Sequence, residues 1–154
     1  MKSRIAREAL IPNPGLKGFK PLIGTWATVG HHPMIPGVTF HGRTTFDWHE
    51  GGAFVVMRSE IEEPDIPSGI AIFGSDDQAE TLSMLYFDER VVARLYEAKL
   101  HPQGLQWWRT TPEFSQRYTI TISQDTGTMR GAGEMSRDGR PWSADLGLTY
   151  TRMT

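Results

Sequence analysis

Charged side chains alternate with apolar ones along one stretch of this 154-residue chain. Arg58 and Glu60 share a two-residue phase with Phe54 and Val56. If that phase faces the interior of the fold, Arg58 is a buried cation, which is costly unless it is paired. It would then need a carboxylate, either that of Glu60 or that of an acidic ligand. An outward phase fits the pattern equally well, and Arg58 would then be solvated.

Tyrosine and glutamine recur in the same way further along the chain. Arg94 is in phase with Tyr96, and Gln116 lies between Phe114 and Tyr118. We expect Arg94 on the outer face. The other groups would give an aromatic cavity with a few hydrogen-bonding groups, which is typical of ligand pockets. The candidate ligand-binding residues are Arg58, Glu60, Phe40, His41, Tyr96, Gln116, Tyr118, Tyr150 and His31.

Histidine is the side chain best suited to both proton transfer and metal binding near neutral pH. His31 and His32 are adjacent in a segment that reads as a loop, where a solvated position is favoured and capping of a cavity is the alternative. His41 and His49 lie too far apart along one strand, at roughly 3.4 Å per residue, to form a metal pair. Nothing has the spacing of a zinc motif. We therefore expect no metal and no other cofactor.

Nucleophilic catalysis has no sequence support. Cysteine is absent, and there is no Gly-x-Ser-x-Gly elbow. Acid or base catalysis on a bound ligand would have to use His41, Glu60, Tyr96 or Tyr118. The sequence leaves it open whether the protein is an enzyme.

The elements that position these groups are predicted to be short strands. Sixteen glycines and ten prolines are spread through the chain, and apolar runs of period two follow one another at roughly ten-residue spacing from Leu22. The pattern predicts an all-β domain of about ten antiparallel strands over 14–154, with a helical turn over Leu16–Lys20 and a flexible leader over 1–13. Closure into a barrel would remove both exposed edges.

Tryptophans mark both the ends and the middle of the predicted barrel. Trp26 on the first predicted strand, and Trp142 and Tyr150 on the last, are bulky enough to pack together and seal it, and we expect Trp26 to be a core residue without ligand contact. Trp107 and Trp108 should face opposite sides of one strand. An outward tryptophan there would allow a homodimer. A dimerisation module is therefore a third alternative for the function of the protein.

Composition excludes several partners. The net charge of -2 and the isoelectric point near 6.2 give no basic surface for nucleic acid. No run approaches the roughly 20 apolar residues of a membrane span, and the first eight residues lack the apolar core of a secretory signal. We expect no nucleic-acid or membrane partner, and a cytoplasmic location.

Two segments carry a family resemblance. Gly24-Thr25-Trp26, followed by a proline-containing loop and then Gly51-Gly52, resembles the calycin superfamily of lipocalins and fatty-acid-binding proteins. The segment from Glu134 to Trp142, followed by Leu148–Arg152, resembles the bacterial lipocalin-like barrels of the DUF1579 type. The resemblance implies a closed barrel that holds a small molecule.

A more distant likeness is to nitrobindin, a ten-stranded haem barrel with a similar Gly-Thr-Trp strand. Its haem iron is held by a histidine near the C-terminus, whereas the last histidine here is His101. We therefore expect no stable haem complex.

Together these features favour a protein that binds a mostly apolar ligand with one polar end inside a barrel. The alternatives are an isomerase or cyclase without a cofactor that acts in the same cavity by holding its substrate in shape, and a nitrobindin-like haem protein.

Overall fold

The computed structural model of the protein describes residues 10–75 and 81–154. Residues 1–9 of the predicted leader, and the predicted turn at Asp76-Asp77, lie outside the described residues. Within the described residues, no helix is both long and apolar enough to span a bilayer.

Ten antiparallel strands close into one barrel, each paired with its sequence neighbours, and β1 pairs with β10. The strands are β1 (Gly24–His31), β2 (Phe40–His49), β3 (Phe54–Ile61), β4 (Gly69–Ser75), β5 (Leu82–Asp88), β6 (Val92–His101), β7 (Gly104–Arg109), β8 (Phe114–Ile122), β9 (Thr128–Arg137) and β10 (Ser143–Arg152). The predicted all-β closed barrel is confirmed. Its last hairpin turns at Asp138 and Gly139, whose φ angles of 50° and 72° suit the tight turn that favours this pair of residues.

A 3-10 helix over Pro14–Leu22 covers one end of the barrel and confirms the predicted helical turn. The side chain of Asn13 caps it by accepting a hydrogen bond from Gly15 N at 2.9 Å. Leu16, Phe19 and Leu22 are fully buried against the strand ends. We call this the closed end.

Trp26 and Arg152 fasten the helix to the strands. Trp26 is fully buried, and its Nε1 donates to Leu22 O at 2.9 Å. The Arg152 guanidinium lies 4.1 Å from the centre of the indole ring, in cation–π range, and donates to Ile23 O at 3.0 Å and Pro21 O at 2.6 Å. Trp26 is therefore a core residue, as the sequence predicts.

Burial of the inward-facing side chains changes along the barrel axis. In the half near the helix they are buried and fill the interior: Trp26, Phe46, Val55, Phe73, Leu82, Ala98, Leu105 and Met129.

In the other half Phe40, Tyr96 and Leu148 are still buried, but several inward-facing side chains are half-buried: Ser59, Tyr86, Arg94, Trp107, Arg109, Phe114, Gln116 and Asp145. Side chains on the inner phase of a barrel are exposed only where the barrel is open to solvent. We call this partly exposed half of the interior the cup, and its solvent-facing end the mouth.

Candidate functional site

A hydrogen-bonded cluster of polar side chains lines the cup. Gln116 is its centre, because its Oε1 accepts from Arg94 Nη1 at 3.0 Å and from the Tyr96 hydroxyl at 2.8 Å. Its Nε2 donates to Asp145 Oδ2 at 3.2 Å. His32 Nε2 contacts the other oxygen of Asp145 at 2.7 Å. We call these five residues the mouth cluster.

A β-bulge delivers Asp145 to this cluster. Ala144 pairs with Glu134 and Gly147 pairs with Ala132, so two residues of β10 stand opposite Gly133 alone. In a regular strand, alternate residues face the same side. Because Tyr150 and Leu148 face inward, Asp145 would face outward if β10 had no extra residue. Bulges commonly redirect a side chain next to a functional site.

Glycine at position 133 makes the bulge possible. A β-carbon there would lie 2.9 Å from Leu146 O and 3.3 Å from Tyr118 Cδ2. Any larger residue would therefore push the bulged strand away from the barrel wall.

His32 pins the loop between β1 and β2 to the cup. Its Nδ1 accepts a hydrogen bond from Met34 N at 3.1 Å, so the proton of the neutral ring is on Nε2 and is donated to Asp145. Both ring nitrogens are thus engaged. His32 acts here as a positioning residue for the loop.

Two arginines, Arg94 and Arg109, and one carboxylate, Asp145, act on the Tyr96 hydroxyl. Arg94 and Arg109 both lower the pKa of the Tyr96 hydroxyl, although burial outweighs them and the pKa is raised overall. Tyr96 is therefore a neutral hydrogen-bond donor. Asp145 is the one carboxylate of the cluster, and none of the ion pairs among the described residues includes Arg94. Phe114 lies below the Arg94 guanidinium, with 5.6 Å from its carbon to the ring centre.

Aromatic rings form the floor of the cup. The hydroxyls of Tyr118 and Tyr150 are 2.6 Å apart, and burial raises the pKa of both. Trp107 stacks on Tyr118 with ring centres 4.6 Å apart and contacts Phe73 at 6.0 Å. Trp108 faces outward, where its Nε1 donates to Glu97, so the predicted division of the two tryptophans is confirmed.

A second polar group stands at the rim of the cup on β5. The Tyr86 hydroxyl donates to Asp88 Oδ2 at 2.7 Å, and the Arg90 guanidinium donates to the same carboxylate at 2.6 Å. Burial alone would raise the pKa of the Asp88 carboxyl, but hydrogen bonds from Arg90 and Tyr86 outweigh it and the pKa is lowered. The negative charge of Asp88 is therefore balanced by Arg90.

Of the two orientations that the sequence left open for Arg58, the structure has the outward one, so the prediction that Arg58 and Glu60 line the interior as ligand-binding residues is wrong. Both are exposed, and they line a shallow depression on the outside of the barrel. Val55 and Met57 are the inward-facing residues of β3. The start of this strand is apolar on both phases, so alternation alone cannot decide which one faces inward.

The predicted outward orientation of Arg94 is also wrong. It shares the inner phase of β6 with buried Tyr96 and Ala98, while Leu95 on the opposite phase is exposed. The aliphatic residue is thus outside and the arginine inside. Arg94 takes the role of an inward cation that the sequence pattern had suggested for Arg58.

The two histidines among the predicted site residues lie on the outside. His41 is exposed on β2, where its ring and its backbone N–H both contact the Glu63 carboxylate, and these contacts lower the pKa of Glu63. His31 is exposed at the end of β1, with its ring over Gly147. Neither residue belongs to the cup.

Five of the nine predicted site residues do face the interior. Tyr96 and Gln116 meet in the mouth cluster, Tyr118 and Tyr150 meet in the floor, and Phe40 is buried on the inner face of β2. Whether they contact a ligand stays a prediction. In residues 10–75 and 81–154, no three His, Asp or Glu side chains are grouped in a way that could hold a metal ion.

No known protein-family model matches the sequence, and no curated protein matches it. The fold is similar to that of the crystal structure of Rv2717c from M. tuberculosis, with a TM-score of 0.67 at 15% sequence identity. The similarity covers 92% of this chain and 98% of that one. At this identity the match supports a shared barrel fold alone, and the resemblance to the calycin superfamily stays a prediction. The finer resemblances to DUF1579 barrels and to nitrobindin stay predictions.

Proposed function

We propose that the protein binds a small amphipathic molecule in the cup, with a carboxylate or carbonyl at Arg94 and an apolar body on the aromatic floor. The observation that carries this proposal is the mouth cluster itself. Its guanidinium is held by a neutral amide, Gln116, rather than by a carboxylate. An arginine in that state keeps donors available for an anionic group.

The position of the cluster also supports an amphipathic ligand. Arg94 and Arg109 are half-buried on the inner wall near the mouth, whereas Trp107, Tyr118 and Tyr150 lie deeper. A molecule that enters apolar end first would leave its charged end among the arginines. The small number of fixed polar groups would set its orientation, as in most ligand pockets.

Binding is favoured over catalysis by the state of the acid and base candidates. His41 and Glu60 lie outside the barrel, and both nitrogens of His32 are engaged. Tyr96 and Tyr118 have raised pKa values. A general base must be able to accept a proton near the working pH, so an isomerase or cyclase would need a group that these residues do not provide.

Replacing Arg94 with leucine tests the anchor. We expect Arg94→Leu to weaken the binding of decanoate by about 1.5–3 kcal/mol, the range for a hydrogen bond to a charged group. The binding of 1-decanol should change little, because the alcohol lacks the negative charge. Both affinities can be measured by displacement of a neutral fluorescent probe such as 1-aminoanthracene.

Arg58→Leu is the matched control, since it removes the same charge from the outer face of the barrel. It should leave both affinities unchanged. An equal loss for the acid and the alcohol in Arg94→Leu, or the same loss of decanoate binding in Arg58→Leu, would contradict the proposed anchor. The absence of decanoate binding to the unmodified protein would contradict the proposed ligand class.

A further inference from the structure

We propose that the ligand carries a second polar group, a hydroxyl or carbonyl on its apolar body, which hydrogen-bonds to Thr28 deep in the barrel. This inference rests on the proposed function and names the chemical class of the ligand more narrowly. It predicts an oxygenated amphiphile rather than a plain alkyl chain.

Thr28 is an unusual residue within the interior. It lies on β1 between Trp26 and Gly30, in the inward phase, and is 2% exposed. Its Oγ1 has no hydrogen-bond partner among the residues that the structure describes. Buried polar groups are nearly always paired, and an unpaired one destabilises the folded state. Valine has the same shape and would remove that cost, so the hydroxyl needs an explanation.

Two further hydroxyl groups lie on the same wall of the barrel as Thr28. Thr44 on β2 is 1% exposed, and its Oγ1 lies 3.4 Å from the Oγ of Ser59 on β3. Ser59 is half-buried, at the level where the interior becomes open to solvent. Thr44 is the diagonal neighbour of Thr28, because Thr44 pairs with Trp26 and Thr28 pairs with Gly42. The three hydroxyls therefore lie on neighbouring strands of one wall, with Thr44 beside Trp26, on the closed-end side of Thr28.

The other deep hydroxyls are already paired. Tyr150 is the neighbour of Thr28 on β10, but its hydroxyl contacts that of Tyr118 at 2.6 Å. A plain apolar chain next to Thr28 would leave its hydroxyl unsatisfied. A ligand oxygen would satisfy it. A site built to form such a hydrogen bond therefore prefers the oxygenated ligand over the plain apolar chain.

The experiment compares Thr28→Val with the unmodified protein, using decanoate and a set of mono-hydroxydecanoates as probes. In the unmodified protein, at least one hydroxy isomer should bind about 3- to 10-fold more tightly than decanoate, as expected for one neutral hydrogen bond. In Thr28→Val that preference should disappear, while the affinity for decanoate is kept. The midpoint of thermal unfolding without ligand should rise by about 2–4 °C, because an unsatisfied group has been removed.

Thr149→Val is the matched control, since Thr149 lies on the neighbouring strand with its side chain exposed. It should change neither the preference nor the affinity for decanoate. An equal affinity for decanoate and for every hydroxy isomer in the unmodified protein would overturn the inference and leave the proposed function standing. A hydroxy preference that survives in Thr28→Val, or a lower unfolding midpoint in that variant, would also overturn it. If no probe bound, the proposed function would fail as well.

Discussion

Replacing Trp26 with alanine is expected to lower the free energy of unfolding by about 3–5 kcal/mol, as large truncations in a core do. The indole is fully buried, contacts the helix through a hydrogen bond to Leu22 O, and supports the Arg152 guanidinium on its face. Its loss would leave a cavity and would also remove the surface on which Arg152 lies. Chemical denaturation with urea measures the change.

Trp48→Ala provides the control, because that tryptophan is 37% exposed. It should cost less than about 1 kcal/mol, as surface substitutions usually do. If Trp26→Ala also lowered the free energy of unfolding by less than about 1 kcal/mol, the closed end would not be the part of the core that stabilises the fold. Ligand affinity, corrected for the folded fraction, should not depend on Trp26.

Replacing Gly131 with alanine is expected to destabilise the protein by about 3 kcal/mol, at the upper end of the usual range for overpacking. A β-carbon at this position would overlap the hydroxyl of Tyr118 and lie 2.5 Å from its Cζ. The ring of Tyr118 cannot move without leaving the hydroxyl of Tyr150 and the stacked ring of Trp107. The free energy of unfolding again gives the measurement.

A double-mutant cycle makes this prediction specific to the contact. Tyr118→Leu removes the atoms that a β-carbon at position 131 would meet, so the cost of Gly131→Ala should be smaller in that background. Gly74→Ala is the control, because no atom of the described residues other than its two chain neighbours lies within 4 Å of a β-carbon there. Additive effects of the two substitutions would show that the strain lies elsewhere.

The strands and the turns between them follow from local signals in the sequence. Turn residues such as Asp138 and Gly139 end the strands where the period-two pattern stops, and Trp26 identifies the end that must be covered. These signals depend only on neighbours along the chain. They were therefore sufficient for the strand number and the short helix, whereas closure of the barrel was expected from the removal of two exposed edges and from the family resemblance.

The inner face could not be assigned wherever both phases of a strand are apolar or both are mixed. On β3, Val55 and Val56 are equally apolar, and on β6, exposed Leu95 is more apolar than inward Arg94. A strand inside a half-open barrel keeps polar groups on its inner face, so hydrophobicity alone gives the wrong side there. Only long-range pairing decides between the phases.

Asp145 could not have been found from the sequence at all. Its direction depends on one extra residue in β10 relative to β9, opposite Gly133. A one-residue change of register reverses the face of every later position in a strand. No local pattern around Asp145 records that change.

The same bulge separates two parts of β10 that can change independently during evolution. Between Gly147 and Thr151 the strand keeps an uninterrupted register with β9, and its end carries Arg152 against the closed end. On the mouth side of the bulge, residues can be exchanged or inserted without shifting that register. A descendant of this barrel could therefore acquire different side chains at the mouth cluster by altering the bulged segment while it retains the same stabilising base.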